Sequence, residues 1–140
     1  MPADPVIVDA LAGTDLFKGV GERALHAIAS QARIVSHDQG KEITEEGGQA
    51  AGFHLIQSGT ASVTVRGAAR PELGPGDYFG EISMIDGQPR SATVQALTPM
   101  RTISLPSWSF HPILDEEPEV AKQLLKVLCA RLRAAEAAQD

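Results

Sequence analysis

Cysteine is nearly absent: Cys129 stands alone among 140 residues, so no internal disulfide can form, and such a chain suits a reducing compartment. Basic charge is also scarce. Twelve Lys and Arg against 18 Asp and Glu give a formal net charge of -6 and a pI near 5.1, which recommends neither nucleic acid nor an anionic membrane as a partner. No apolar run approaches the roughly 20 residues that span a bilayer, and Met1-Pro2-Ala3-Asp4-Pro5 lacks the basic and apolar parts of a signal peptide. A cytoplasmic location is expected. The four histidines, His26, His37, His54 and His111, show no metal-ligand spacing. No Ser/His/Asp or Cys/His pattern suggests a nucleophile, and there is no internal repeat or low-complexity linker. Catalysis and a bound metal or other cofactor are therefore not expected.

What is present is a change of hydrophobic period along a chain sized for one core. Residues 1–5 read as a loose tail and Val6 to Leu11 as a short helix. Gly13 to Val20 is a break, and a helix follows from Glu22 to Ala32 with Ala24, Leu25, Ile28 and Ala29 at helical spacing. From Arg33 the period becomes two. Strands are expected at Ile34–His37, Lys41–Thr44, Phe53–Gln57, Ala61–Val65, Ser91–Ala96 and Met100–Leu105. Ser58-Gly59-Thr60 reads as a hairpin between the third and fourth of these, and Gly67 to Arg70 as a turn. Short strands recurring at about 8–12 residues argue for a sandwich or barrel. Ser107 is a candidate helix cap, with Pro112 in the first turn that follows. Asp115 to Pro118 separates that helix from a last one, whose apolar stripe is Val120, Leu124, Val127, Leu128 and Leu132. The stripe suits packing on the barrel first and a dimer seam second. Cys129 lies on it and is expected to be a small buried residue, and the end of the helix is expected to fray.

The chemistry concentrates between Gly80 and Ala92, in Gly-Glu-Ile-Ser-Met-Ile-Asp-Gly-Gln-Pro-Arg-Ser-Ala. Gly80 can take a strained turn and admit a ligand close to the backbone. Residues 81–85 can form about one helical turn, whose first N–H groups lack partners and favour an anion. Arg90 offers a planar fork of donors to phosphate oxygens. Ser91 adds a hydroxyl and an amide. Glu81 would repel a phosphate, so it calls for a neutral donor such as a ribose hydroxyl, and it can also orient Arg90. The set suits a sugar phosphate with a free hydroxyl. A surface ion pair beside a turn is the plainer alternative for Glu81 and Arg90.

Pro75-Gly76-Asp77-Tyr78-Phe79-Gly80-Glu81-Ile82, followed by Pro89-Arg90-Ser91-Ala92-Thr93-Val94, resembles the phosphate-binding cassette of the cyclic nucleotide-binding domain family. That family includes the regulatory subunit of cyclic-AMP-dependent protein kinase, the catabolite activator protein and cyclic-nucleotide-gated channels. The resemblance covers about residues 10–135 and is specific in the cassette. It implies a mainly β fold with flanking helices: a jelly-roll β-barrel with N-terminal helices and two C-terminal helices, the latter over residues 107–138. It implies that Glu81 takes the ribose 2′-hydroxyl and Arg90 the exocyclic phosphate oxygens. The amides of Ile82, Ser83, Ser91 and Ala92 complete the cradle.

In the family a hydroxyl at the position of Ser91 can contact a syn guanine, yet serine also occurs there in a site that prefers adenine. Cyclic AMP is the expected ligand and cyclic GMP the alternative. Val63, Val65, Leu73 and Val94 are core candidates that could also face the base or ribose. Leu128, Arg131 and Leu132 are candidate caps on the base. With no helix-turn-helix, kinase or channel segment, the expectation is one stand-alone domain over residues 1–140: a ligand-controlled sensor acting on an unidentified effector protein, with a homodimer as a second arrangement. Two other classes stay open: a constitutive interaction domain whose cassette no longer binds nucleotide, and a small jelly-roll metalloenzyme.

Overall fold

The computed structural model describes residues 3–48 and 52–139; residues 1 and 2 of the expected tail lie outside that range. The chain opens with α1 (Pro5–Ala12) and α2 (Glu22–Ser30). The tail is shorter than expected because Asp4 caps α1: its Oδ1 accepts a hydrogen bond from the Val6 N–H at 2.9 Å, and Pro5 stands at the helix start. Eight strands follow: β1 (Arg33–His37), β2 (Glu42–Thr44), β3 (Gly52–Ser58), β4 (Ala61–Val65), β5 (Ala68–Leu73), β6 (Tyr78–Phe79), β7 (Thr93–Ala96) and β8 (Met100–Pro106). The short α3 (Glu81–Asp86) interrupts them, and α4 (Ser107–Glu116) and α5 (Pro118–Ala137) close the fold.

Two antiparallel four-stranded sheets face each other, in the orders β1-β8-β3-β6 and β2-β7-β4-β5. This is the mainly β jelly roll with flanking helices that the cassette implied. The connection at Ser58-Gly59-Thr60 is not a hairpin. β3 pairs with β8 and β6, whereas β4 pairs with β7 and β5, so the chain passes from one sheet to the other. The β7–β8 connection makes the same crossing in reverse. The two loops bind each other, the Leu97 N–H to the Thr60 carbonyl at 2.9 Å and the Thr60 N–H to Thr98 Oγ1 at 3.0 Å.

The region expected to be a turn at Gly67 to Arg70 is mostly strand. The turn is Arg66-Gly67 alone, with φ of 51° and 77°, the geometry of a two-residue hairpin loop with both central residues left-handed. Two expectations for α4 also fail. Ser107 is its first helical residue, with Pro106 at the cap and no side-chain cap bond, and Pro112 stands inside the helix.

Alternation on β3 and β8 builds two cores, since successive side chains point to opposite faces. Phe53, Leu55, Ile103 and Leu105 face the helices and pack with Leu11, Phe17, Ile28, Phe110 and Val120. Phe17 sits edge-on to both Phe53 and Phe110, at centroid distances of 5.9 and 6.1 Å. Ile56 and Met100 face the other sheet and join Ala61, Phe79, Val94 and Ala96 in a smaller cluster. On α5 the buried stripe is Val120, Leu124 and Val127. Leu128 is half-buried, Leu132 is 60% exposed, and Cys129 is exposed rather than buried, because the C-terminal half of α5 extends beyond the surface it packs on.

Candidate functional site

The smaller core leaves a cavity of about 390 Å³ between the sheet β2-β7-β4-β5 and the segment that carries α3. That volume suits a small organic ligand. Gly80, Glu81, Ile82, Ser83, Arg90, Ser91 and Ala92 all line it, as do Val63, Leu73 and Val94. Val65 and Leu128 do not. Arg131 does not line it either and reaches the site through its bonds to Glu81 and Tyr78.

Gly80 sets the local geometry. It is left-handed, with φ of 84°, at the N-cap of α3. A Cβ there would collide with the Gly52 carbonyl and with Arg90 Nη1, so the position requires glycine on two counts. Beyond it, the Met84 N–H is bonded to the Gly80 carbonyl at 3.0 Å, while Glu81, Ile82 and Ser83 of this turn line the cavity.

Arg90 is 6% exposed. Its Nη1 donates to the Gly52 carbonyl at 2.6 Å and to the Gly80 carbonyl at 3.4 Å. Its backbone is also pinned, with the Arg90 N–H bonded to the Gly48 carbonyl and the Gly47 N–H to the Arg90 carbonyl, both at 2.8 Å. Burial lowers the guanidinium pKa, and the nearby charge of Glu81 opposes that shift. Among the described residues, Nη2 and Nε have no partner and no carboxylate lies in salt-bridge contact with Arg90. A buried cation of this kind is costly until a counter-charge arrives.

Glu81 does not orient Arg90 by direct contact. Its Oε1 accepts from Arg131 Nη1 at 2.9 Å, which joins α5 to the cassette. Arg131 Nη2 donates to the Tyr78 hydroxyl at 2.6 Å, and that hydroxyl donates to Asp15 Oδ1 at 2.5 Å. Burial alone would lower the Arg131 pKa; the hydrogen bond and charge of Glu81 outweigh it, and the net shift is upward. The Tyr78 phenol is pushed up, first by burial and then by its bond to Asp15.

Tyr78, Thr44, Arg70 and Pro71 also line the cavity without having been singled out in the sequence. Tyr78 stood inside the cassette string, so its place was legible though its bonds were not. Arg70 was hidden by the misplaced turn, which left its strand face unread. Among the described residues, no group of three or more His, Cys, Asp or Glu is arranged to hold a metal ion, and no helix is long and apolar enough to cross a membrane.

Comparison with known proteins fits this geometry. Residues 34–117 match the profile of the cyclic nucleotide-binding domain. The chain belongs to that family. It is 31% identical over 128 residues to the CRP-like cAMP-activated global transcriptional regulator of Mycobacterium tuberculosis, an alignment covering 88% of this chain and 57% of the regulator. It is 34% identical to a cyclic nucleotide-gated potassium channel of Mesorhizobium japonicum, over 91% of this chain and 36% of the channel. The chain thus spans little more than half of the first relative and about a third of the second. Among solved structures, the catabolite activator protein of Thermus thermophilus superposes with a TM-score of 0.76 at 29% identity, over 91% of this chain and 62% of that one.

Proposed function

We propose that this domain is a sensor that binds a 3′,5′-cyclic nucleotide in the cavity beside α3 and changes its surface in response. The observation that carries this reading is Arg90: a buried guanidinium in the cavity lining, with one nitrogen held by two carbonyls and no carboxylate in salt-bridge contact among the described residues. A phosphate supplies the missing counter-charge. The amides of Ile82, Ser83, Ser91 and Ala92 complete the cradle, and Glu81 takes the ribose 2′-hydroxyl. Val63 and Leu73 contact the sugar or base. Cyclic AMP is our choice of ligand, supported by likeness to the cAMP-activated regulator of Mycobacterium tuberculosis.

Nucleotide acts by redistributing the contacts of Glu81. Once a ribose hydroxyl shares that carboxylate, the position of Arg131 and α5 relative to the cassette gains two alternatives of different nucleotide affinity, which is the requirement for a population shift. The output is a changed helical surface offered to an effector protein or to a second copy. No chemical step is assigned to the site, and the domain acts as a cytoplasmic module.

The test is calorimetric titration of nucleotide-stripped protein with cyclic AMP and cyclic GMP, using the native chain and Arg90→Ala. Saturable binding by the native chain, weakened by roughly 2–5 kcal/mol in the variant, is the expected result, with circular dichroism showing that the variant is folded. Failure of the native chain to bind either nucleotide would overturn the proposal in favour of a constitutive interaction domain.

A further inference from the structure

We infer that the exposed face of α4 on one copy of this chain docks on the exposed face of α5 on the next, in a head-to-tail contact that lets molecules add in series. The inference stands apart from the nucleotide reading, and its test needs no nucleotide.

The three most exposed large apolar side chains among the described residues are Trp108 at 71%, Leu125 at 62% and Leu132 at 60%. They fall on two faces. On α4, Trp108, His111, Pro112 and Asp115 recur at the spacing of one helical face, and all are exposed. On α5, Leu125, Cys129 and Leu132 recur in the same way, on the side away from the buried Val120, Leu124 and Val127. A tryptophan left in water carries a large apolar area, and side chains of this type concentrate where partners bind.

Charge decides which face meets which. α4 carries no Lys or Arg and ends in the exposed Asp115 and Glu116. Along one side of the leucine stripe on α5 run Lys122, Lys126 and Arg133, all exposed. None of these five charged side chains stands in an ion pair among the described residues. Pairing α4 with α4 would set an acidic face on an acidic face. Pairing α5 with α5 would leave Trp108 in water. Pairing α4 with α5 covers all three exposed apolar side chains and opposes the charges, which also fixes the register.

The faces match in length. Trp108 to Asp115 and Leu125 to Leu132 each cover two helical turns, about 10 Å. With the two helices antiparallel, Asp115 and Glu116 meet Lys122 and Lys126. Trp108 then meets Leu132 and Arg133, whose guanidinium stacks on the indole. A contact between unlike patches is not closed by a two-fold axis, and it continues into a ring or a filament. Two turns of helix on each side fall short of the roughly 800 Å² per partner of a standard interface, so the association is weak and depends on concentration.

Sedimentation velocity over a rising concentration series tests this. It compares the native chain, Trp108→Ala, Leu125→Glu and an equimolar mixture of the two variants, with circular dichroism showing that each is folded. Both side chains lie mostly in water, so neither change disturbs the core. The native chain should reach masses above two chains. Each variant alone should associate roughly tenfold more weakly or worse. The mixture should form a dimer and stop there, because Trp108→Ala keeps a sound α5 and Leu125→Glu a sound α4, which together make one junction. Association of Trp108→Ala as strong as that of the native chain would overturn the inference, since α5 would then be pairing with itself. A native chain that stays monomeric throughout would overturn it too, as would a mixture that stays monomeric while the native chain associates.

Discussion

The two sheets share a strand number and antiparallel pairing, yet they are packed for different ends. The sheet β1-β8-β3-β6 is covered on both faces. Its outer face carries the helices and a continuous apolar core, and its inner face meets the opposite sheet. The sheet β2-β7-β4-β5 has its outer face in solvent and an inner face only partly filled, so a cavity remains over Val63 and Val94. One sheet is scaffold, and the other is the floor of a binding site. The difference comes from where bulk is spent: Phe17, packed edge-on to both Phe53 and Phe110, lies on the helical side, while the smaller cluster beside the cavity has Ile56, Phe79 and Met100 with alanine and valine.

If that division is right, truncating bulk on the helical side should cost the whole fold. Phe110 is fully buried between Phe17 and α4's neighbours. Phe110→Ala should lower the unfolding free energy by about 3–5 kcal/mol, measured by urea denaturation. A loss below about 1 kcal/mol would mean that the aromatic cluster is not the scaffold's centre.

The same division explains what could be read in advance. The cassette was legible because Gly80, Glu81 and Arg90 lie within one short string, whereas the contacts that bury Arg90, to Gly47, Gly48 and Gly52, come from a distant part of the chain and were not. Most strand positions were legible from alternation, but β5 and β6 were not. Strand partners were not. Ser58-Gly59-Thr60 has the composition of a hairpin, but turn residues specify a bend and say nothing about which sheet receives the next strand. The true β4–β5 hairpin uses Arg66-Gly67, where the usual Asn or Asp is replaced by arginine, so its signal was weak and Arg70 lost its strand face. Burial on α5 was overestimated at Leu132 and Cys129 because periodicity defines a stripe without showing where the packing surface ends.

A smaller effect should come from the seam between the two sheets. His37 Nε2 and His54 Nδ1 both lie within hydrogen-bond distance of Thr102 Oγ1, at 2.9 and 3.1 Å, and His54 stacks on Phe79 with centroids 5.1 Å apart. Burial, with the added positive charge of His37, Arg90 and Lys41, pushes the His54 pKa down to about 3. His37 is lowered too, by burial and then by Lys41. In the unfolded chain both would titrate near 6.5. The unfolded state therefore binds protons that the native state refuses, so stability is full above about pH 6.5 and falls as pH drops toward 3. The slope for one such group is at most about 1.4 kcal/mol per pH unit. Comparing native and His54→Gln protein between pH 6 and 5, above most carboxylate titration, should show a shallower slope in the variant. Parallel slopes would mean that His54 does not carry the effect.

The smallest effect, and the sharpest for the comparison, belongs to Tyr78. It sits on β6 at the edge of the scaffold sheet, packs on Phe53 at 5.4 Å, and yet lines the cavity. Its hydroxyl accepts from Arg131 and donates to Asp15, tying α5 and the segment after α1 to the cassette. Tyr78→Phe keeps the ring and removes only those two bonds. Arg131 still holds Glu81, so the expected cost in global stability is about 1 kcal/mol. The informative readout is local. Hydrogen exchange should quicken along the C-terminal turns of α5 while the amides of β3 and β8 stay protected, since weakly tied elements open below the global limit. Equal loss of protection in β3 and β8 would place Tyr78 with the scaffold. Loss confined to α5 would identify its hydroxyl as the point where the rigid sheet holds the helix that the site is free to move.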